Sequence, residues 1–281
     1  MASWTNATAP VSGLLHPAET RRVADLRREA PVSPELAPFV ERYWSVRWDR
    51  TGQPPFRSEV LSHPSVNLAV ETGTAPRFGH ALPAVLVHGV TTRRFVVDLT
   101  GQGRVTAAKF RPGGWVAFGG RPPGRGAVEP LGDRPGPDAA RLLAAVLAED
   151  DDDARAAVLD AALAPLAPEP TPAYVELQAL LRRMLEDRSL VRVEHLAELA
   201  GTSTRSLQRL FAGSVGVSPK AVLRRYRLQD AAAAIDAGGV SDLAGLAAEL
   251  GWFDQAHFSR DFRAVVGTTP SAYLARARAG S

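Results

Sequence analysis

The chain of 281 residues has no cysteine. That absence excludes disulfides, thiolate catalysis and cysteine-ligated zinc, and nothing in the sequence calls for an oxidising compartment. Lysine is almost missing too, with only Lys109 and Lys220. Nearly all positive charge is therefore guanidinium, a planar fork of donors that suits phosphates and guanine edges. No apolar run approaches the roughly 20 residues of a membrane-spanning helix. The first twenty residues also lack the basic start and apolar stretch of a secretory signal. The expectation is a cytoplasmic protein with no membrane partner, in which the Asn6-Ala7-Thr8 sequon is an accident of composition. No P-loop or dinucleotide fingerprint surrounds Gly113 and Gly114, which after Arg111-Pro112 read as a turn.

What the chain has is a repeat. RSLQRLFAGSVGVSP at 205–219 returns as AHFSRDFRAVVGTTP at 256–270. Arg209 matches Arg260, Phe211 matches Phe262, Val215 matches Val266, Gly216 matches Gly267 and Pro219 matches Pro270, all 51 residues apart. Upstream the offset is 50, through Leu196/Leu246, Ala197/Ala247 and Gly201/Gly251, so one residue is inserted in the intervening turn. Charge is distributed to match. The net charge is only +3, but acid gathers at Glu149 to Asp153, while Arg205, Arg209, Lys220, Arg224, Arg225, Arg227, Arg260, Arg263, Arg276 and Arg278 gather base near the end.

The Pro-rich stretch LAPLAPEPTP at 163–172 cannot propagate helix and divides the chain, giving an expected N-terminal domain over 1–165 and a C-terminal domain over 173–281. Before it, Val-, Phe- and Thr-rich runs at 43–48, 65–72, 84–92, 93–100 and 104–112 alternate with Gly and Pro. This spacing predicts a mostly antiparallel β barrel or sandwich, followed by two helices whose acidic start at 150–153 is solvated. Trp44, Trp48, Trp115 and Phe118 are candidates either for core or for a pocket lining. After the stretch the period becomes helical. Leu177, Leu180, Leu181, Met184 and Leu185 share one face of a helix over 174–186. The overall class is α+β, with an all-α C-terminal part built from two helix-turn-helix units, about 190–217 and 240–268, joined by a long helix over 219–237.

In such a unit the first helix braces the second, which enters the major groove. Over 204–211, Leu207, Leu210 and Phe211 cluster at helical spacing and place Arg205 and Arg209 opposite. Over 254–266, Phe258 and Phe262 take the core side and leave Arg260 outward, flanked by His257 and Ser259, with Gln255 and Ala256 near the start. A connecting helix of 19 residues spans roughly 28 Å at 1.5 Å per residue. Successive groove faces on one side of B-DNA lie roughly 34 Å apart, so one chain with this strut reaches two of them.

LAELAGTSTRSLQRLF, GVSPKAVLRRYRLQDA and ELGWFDQAHFSRDFRAVVGTTPSAYL together resemble the AraC/XylS family of bacterial transcription regulators, over about Leu190 to Leu274. The resemblance implies double-stranded promoter DNA as partner, with Thr204, Arg205, Ser206, Gln208 and Arg209, then Gln255, Ala256, Ser259 and Arg260, as DNA-facing residues. Phe253 departs from the pattern where a small polar residue is usual, which hands the capping role to Asp254, and Ala256 supplies no donor. PFVERYWSVRW, SHPSVNLAVETG and KFRPGGWVAFGG are similar to a cupin-like N-terminal domain fused to some of these regulators. That similarity implies a sensory or dimerising module, for a small-molecule effector or a homodimer partner; RNA polymerase is a separate expected partner of the chain. No cofactor or metal is expected. The competing readings are a metal-dependent cupin enzyme, disfavoured because His63, His80 and His88 are scattered, and a DNA-alkylation repair protein, which needs a cysteine.

Overall fold

The computed structural model describes residues 13–28, 32–187 and 189–280; the sequon at 6–8 lies outside them. The N-terminal part starts with helix α1 (Pro17–Arg21) and continues as strands β1 (Ala24–Arg28), β2 (Val40–Arg50), β3 (Phe56–Val60), β4 (Asn67–Gly73), β5 (Ala84–His88), β6 (Phe95–Leu99) and β7 (Gly101–Phe110). Helix α2 (Gly114–Ala117), strand β8 (Val128–Pro130) and helices α3 (Ala139–Leu147) and α4 (Asp152–Leu163) follow. Six strands form one antiparallel sheet in the order β1-β2-β7-β4-β5-β8, while β3 and β6 pair as a separate ribbon. Each of the five predicted runs overlaps a strand, β2, β4, β5, β6 and β7 in turn. The α+β class holds, an antiparallel sheet region followed by a helical domain.

Period-2 alternation assigns each strand two faces. Tyr43, Leu68, Val70, Val85, Ala108 and Phe110 face one way and share a core with Leu142 and Val146 of α3 and Leu159 and Leu163 of α4. Trp48, Ala69, Val105 and Ala107 face the other way and meet Leu99, Phe56 and Val97 of the ribbon. Of the four aromatic pocket candidates, Trp48, Trp115 and Phe118 are buried in core. Trp44 borders a cavity of about 160 Å³ between sheet and ribbon, and its Nε1 donates to Asn67 at 3.0 Å. Gly113, with φ of 79°, is the left-handed turn residue before α2.

The acidic run does two jobs rather than one. Asp151 caps α4, accepting from the backbone of Asp153 and Ala154 at 2.9 and 3.0 Å, as a carboxylate at a helix start should. Asp152, expected in solvent, is buried, with Arg104 Nε at 2.9 Å and Arg47 Nε at 3.5 Å. The two arginines from neighbouring strands recruit it, which a one-dimensional charge run does not reveal.

The helical part comprises α5 (Pro172–Glu186), α6 (Val193–Leu199), α7 (Thr204–Ser214), α8 (Pro219–Asp236), α9 (Leu243–Glu249), α10 (Gln255–Val266) and α11 (Pro270–Gly280). Its first half continues the core of the sheet region through Leu177, Leu196, Phe211 and Tyr226. Its second half packs around Phe258, Phe262 and Tyr273, with Leu15 and Leu61 of the N-terminal part.

Where the two parts meet, Glu41 accepts from Lys109 Nζ at 2.9 Å and lies 3.3 Å from Arg42 and 3.9 Å from His63. The His63 ring packs edge-on against Tyr226 of α8 at 4.9 Å. Burial pushes the Glu41 carboxyl up, but Lys109, His63 and Arg42 overcome it and hold the group down at about 2. Burial first, then Lys109, brings the His63 imidazole down to about 3. Both folded values lie below their unfolded ones, so the unfolded chain binds more protons and stability is lost as pH falls. The His63 contribution is complete above pH 6.5 and declines toward 3; that of Glu41 is complete above 4.5 and declines toward 2. Calorimetry should show roughly 2 kcal/mol of stability lost between pH 6.5 and 4.5. A His63→Gln variant should flatten that interval, and an equally steep profile in the variant would assign the loss elsewhere.

Candidate nucleic-acid interface

The duplication in sequence is a duplication in geometry. In the first unit Gly201, with φ of 58°, ends α6; in the second Gly251, with φ of 79°, ends α9. These left-handed positions explain why both copies keep glycine. The next amide closes each turn on the same acceptor, Thr202 N on Ala197 O at 2.9 Å and Trp252 N on Ala247 O at 2.8 Å. The caps then correspond: Ser203 accepts from Ser206 N at 3.1 Å, and Asp254 accepts from His257 N at 2.6 Å. Thr202 is therefore the counterpart of Trp252, and Ser203 of Asp254. The inserted residue is Phe253, and Asp254 takes over the cap as the sequence pattern required.

On α7 the side chains of Leu207 and Phe211 are fully buried, while Arg205, Gln208 and Arg209 are exposed and Thr204 and Ser206 half-exposed. Leu210 does not join that core cluster; it is 36% exposed. Three residues past Leu207, it has turned beyond the edge of a narrow buried stripe. On α10 Phe258 and Phe262 are buried, Gln255, Ala256, His257 and Arg260 are exposed, and Ser259 is half-exposed. The Nε2 of His257 lies 3.5 Å from Asp261 on its own helix.

Clustered base divides in two once partners are known. Arg224 reaches Asp261 at 3.3 Å. Arg227 donates to Leu250 O at 2.6 Å and stacks 3.9 Å over the Trp252 ring, whose Nε1 donates to Asp261 at 3.0 Å. Arg225 is buried and donates to Ser62 O, Thr91 O and Arg93 O. Arg276 pairs with Glu19 at 2.6 Å, and Arg278 donates to Val240 O at 3.2 Å. Among the described residues, Arg205, Arg209, Lys220, Arg260 and Arg263 keep exposed side chains with no hydrogen-bond or ion-pair partner. Four of these five cations stand on α7 and α10. Helix α8 joins the units with 18 residues, about 27 Å of strut at 1.5 Å per residue.

Chemistry of other kinds has less to work with. His63 faces Glu41, His88 Nε2 lies 2.7 Å from Glu71, and His80 Nε2 lies 3.0 Å from Val128 O. Among the described residues no group of three or more His, Cys, Asp or Glu is placed to hold a metal ion, and no helix is long and apolar enough to cross a membrane.

A family described as a helix-turn-helix domain matches residues 196–276, and one described as a domain of unknown function (DUF6597) matches residues 28–125. The chain is 35% identical over 95 residues to an uncharacterized HTH-type transcriptional regulator of Haemophilus influenzae, covering 34% of this chain and 32% of that protein. It is 31% identical over 86 residues to the XylDLEGF operon transcriptional activator of Pseudomonas putida, covering 30% and 27%. The chain thus spans about a third of the length of these curated relatives. A solved structure of a probable AraC family transcriptional regulator from Rhodopseudomonas palustris is 30% identical, with 37% of this chain and 97% of that one covered and a TM-score of 0.34. Residues 196–276 are a helix-turn-helix domain, and over about a third of its length the chain is similar to HTH-type transcriptional regulators.

Proposed function

We propose that the protein is a sequence-specific regulator that binds double-stranded promoter DNA, with α7 and α10 entering two successive major grooves and Thr204, Arg205, Ser206, Gln208, Arg209, Gln255, Ala256, His257, Ser259 and Arg260 facing the duplex. The observation that carries this reading is the sorting of the cations. Of the ten cations between 205 and 278, half have partners within the chain, and four of the other five project from the two equivalent helices. Selection of bound duplexes from a random library by the full chain is the test. Two half-sites about 10 base pairs apart are expected, and failure to enrich any motif would end the proposal.

The N-terminal part, residues 1–165, is proposed to tune that binding through a small-molecule effector. The cavity between sheet and ribbon supports this, because β3 is shared by two surfaces. Ser58 and Val60, with Ser62 just beyond the strand, line the cavity. Between them Glu59 lies 2.8 Å from Arg94 and 3.4 Å from Arg276 of α11, and Leu61 packs in the core of the second unit. Arg94 N in turn donates to Val265 O at the end of α10, at 2.8 Å. One strand thickness therefore separates an occupant of the cavity from a recognition helix.

A further inference from the structure

We propose that Phe253 is a specificity-determining residue that reads a thymine methyl group in the half-site of the second helix-turn-helix unit. This inference rests on the DNA-binding reading above. Phe253 is 93% exposed, whereas the next most exposed large hydrophobic among the described residues, Leu199, is at 49%. It is the one residue by which the second turn exceeds the first, since the closing amides of Thr202 and Trp252 and the caps Ser203 and Asp254 correspond on either side of it. The core gains nothing from the insertion: the neighbouring Trp252 is the ring that packs, at 4.9 Å from Phe258.

Position supplies the occupant. Phe253 immediately precedes the cap of α10, and the N-terminal residues of a recognition helix are those that meet base edges. Ala256, three residues on, is exposed at the same end. At the offset of 51 its counterpart in the first unit is Arg205. The leading edge of the first unit thus offers a guanidinium, and that of the second a phenyl ring and a methyl group. In the major groove the apolar feature is the C5-methyl of thymine, which alanine and phenylalanine side chains contact, while guanidinium pairs with guanine. The two copies have diverged toward different base chemistry, with Arg260 left to anchor the second.

The test compares the full chain with Phe253→Ala and Phe253→Leu by duplex selection, then by titration on the best selected duplex at fixed salt. Phe253→Ala is expected to lose preference for thymine in one half-site only, with Phe253→Leu retaining most of it. Replacing that thymine by deoxyuridine removes only the methyl group. The wild type should then weaken about fourfold, the transfer value of one buried methyl, and Phe253→Ala should not change. An unaltered motif and affinity in Phe253→Ala overturns the inference, as does an equal loss on selected and scrambled duplexes. A change in light-scattering mass with DNA binding intact would mark the ring as a protein contact and likewise overturns it. Enrichment of no motif by the wild type is a separate result that removes the underlying DNA-binding reading. Unchanged melting temperatures would verify that this exposed position leaves folding intact.

Discussion

Replacing Arg209 and Arg260 together by alanine is expected to weaken binding to the selected duplex by on the order of 100-fold or more, while leaving the melting temperature almost unchanged. Each lost base or phosphate contact costs about 1–3 kcal/mol, and each 1.4 kcal/mol is tenfold. The two side chains belong to separate helices joined by α8, so their effects should add. Neither has an intramolecular partner among the described residues, and both are exposed, which is why folding should be indifferent. Titration at several salt concentrations separates the two kinds of contact. An arginine on phosphate lowers the salt slope by about one when removed and weakens all sequences alike; an arginine on guanine relaxes the preference at one position. Affinity equal to wild type at matched salt would refute the proposed interface.

The duplicated unit was legible because its turn chemistry and its buried stripe are local. Gly201, Ser203, Gly251 and Asp254 each act within five residues of themselves, and Phe211, Phe258 and Phe262 fall on the helical period. The five strands with strong apolar runs were legible for the same reason. Strands β1, β3 and β8 were not. β3, FRSEV, has a polar reading because Arg57 faces Asp98 on its ribbon partner at 3.0 Å and Glu59 faces Arg94, partners that only the fold supplies. Helix α11 was missed since its small residues blur the period and bury chiefly Tyr273 and Leu274. The candidate site shows the same boundary. Sequence found the basic cluster but could not sort it, because Arg225 and Arg209 look alike until the loop at 91–93 closes over the former. It also treated Phe253 only as a departure from a pattern, and the corresponding hydrogen bonds of the two turns were needed to identify it as the inserted residue.

Substituting Arg225 by alanine should be the most damaging single change to stability at the junction of the two parts. The residue is 4% exposed. It donates from α8 to Ser62 O at 3.3 Å, Thr91 O at 2.7 Å and Arg93 O at 3.4 Å. One turn further, Gln229 donates to Leu61 O. Burial, reinforced by Arg224, brings Arg225 down to about 10, so the group stays charged at neutral pH and its hydrogen bonds remain charge-assisted. Hydrogen bonds to a charged group contribute about 1.5–3 kcal/mol, and removing the donor leaves three carbonyls without it. A loss of about 3 kcal/mol and a fall in melting temperature of roughly 6–12 °C follow for a chain of this size. Arg225→Lys should recover only part, since an ammonium is a point charge and cannot spread its donors as a planar fork does. Because Arg209 and Arg260 do not touch this junction, Arg225→Ala assayed well below its melting temperature should keep its affinity for the selected duplex. Loss of affinity with stability preserved would instead place Arg225 at the DNA, and the division of the arginines into clamp and contact would fail.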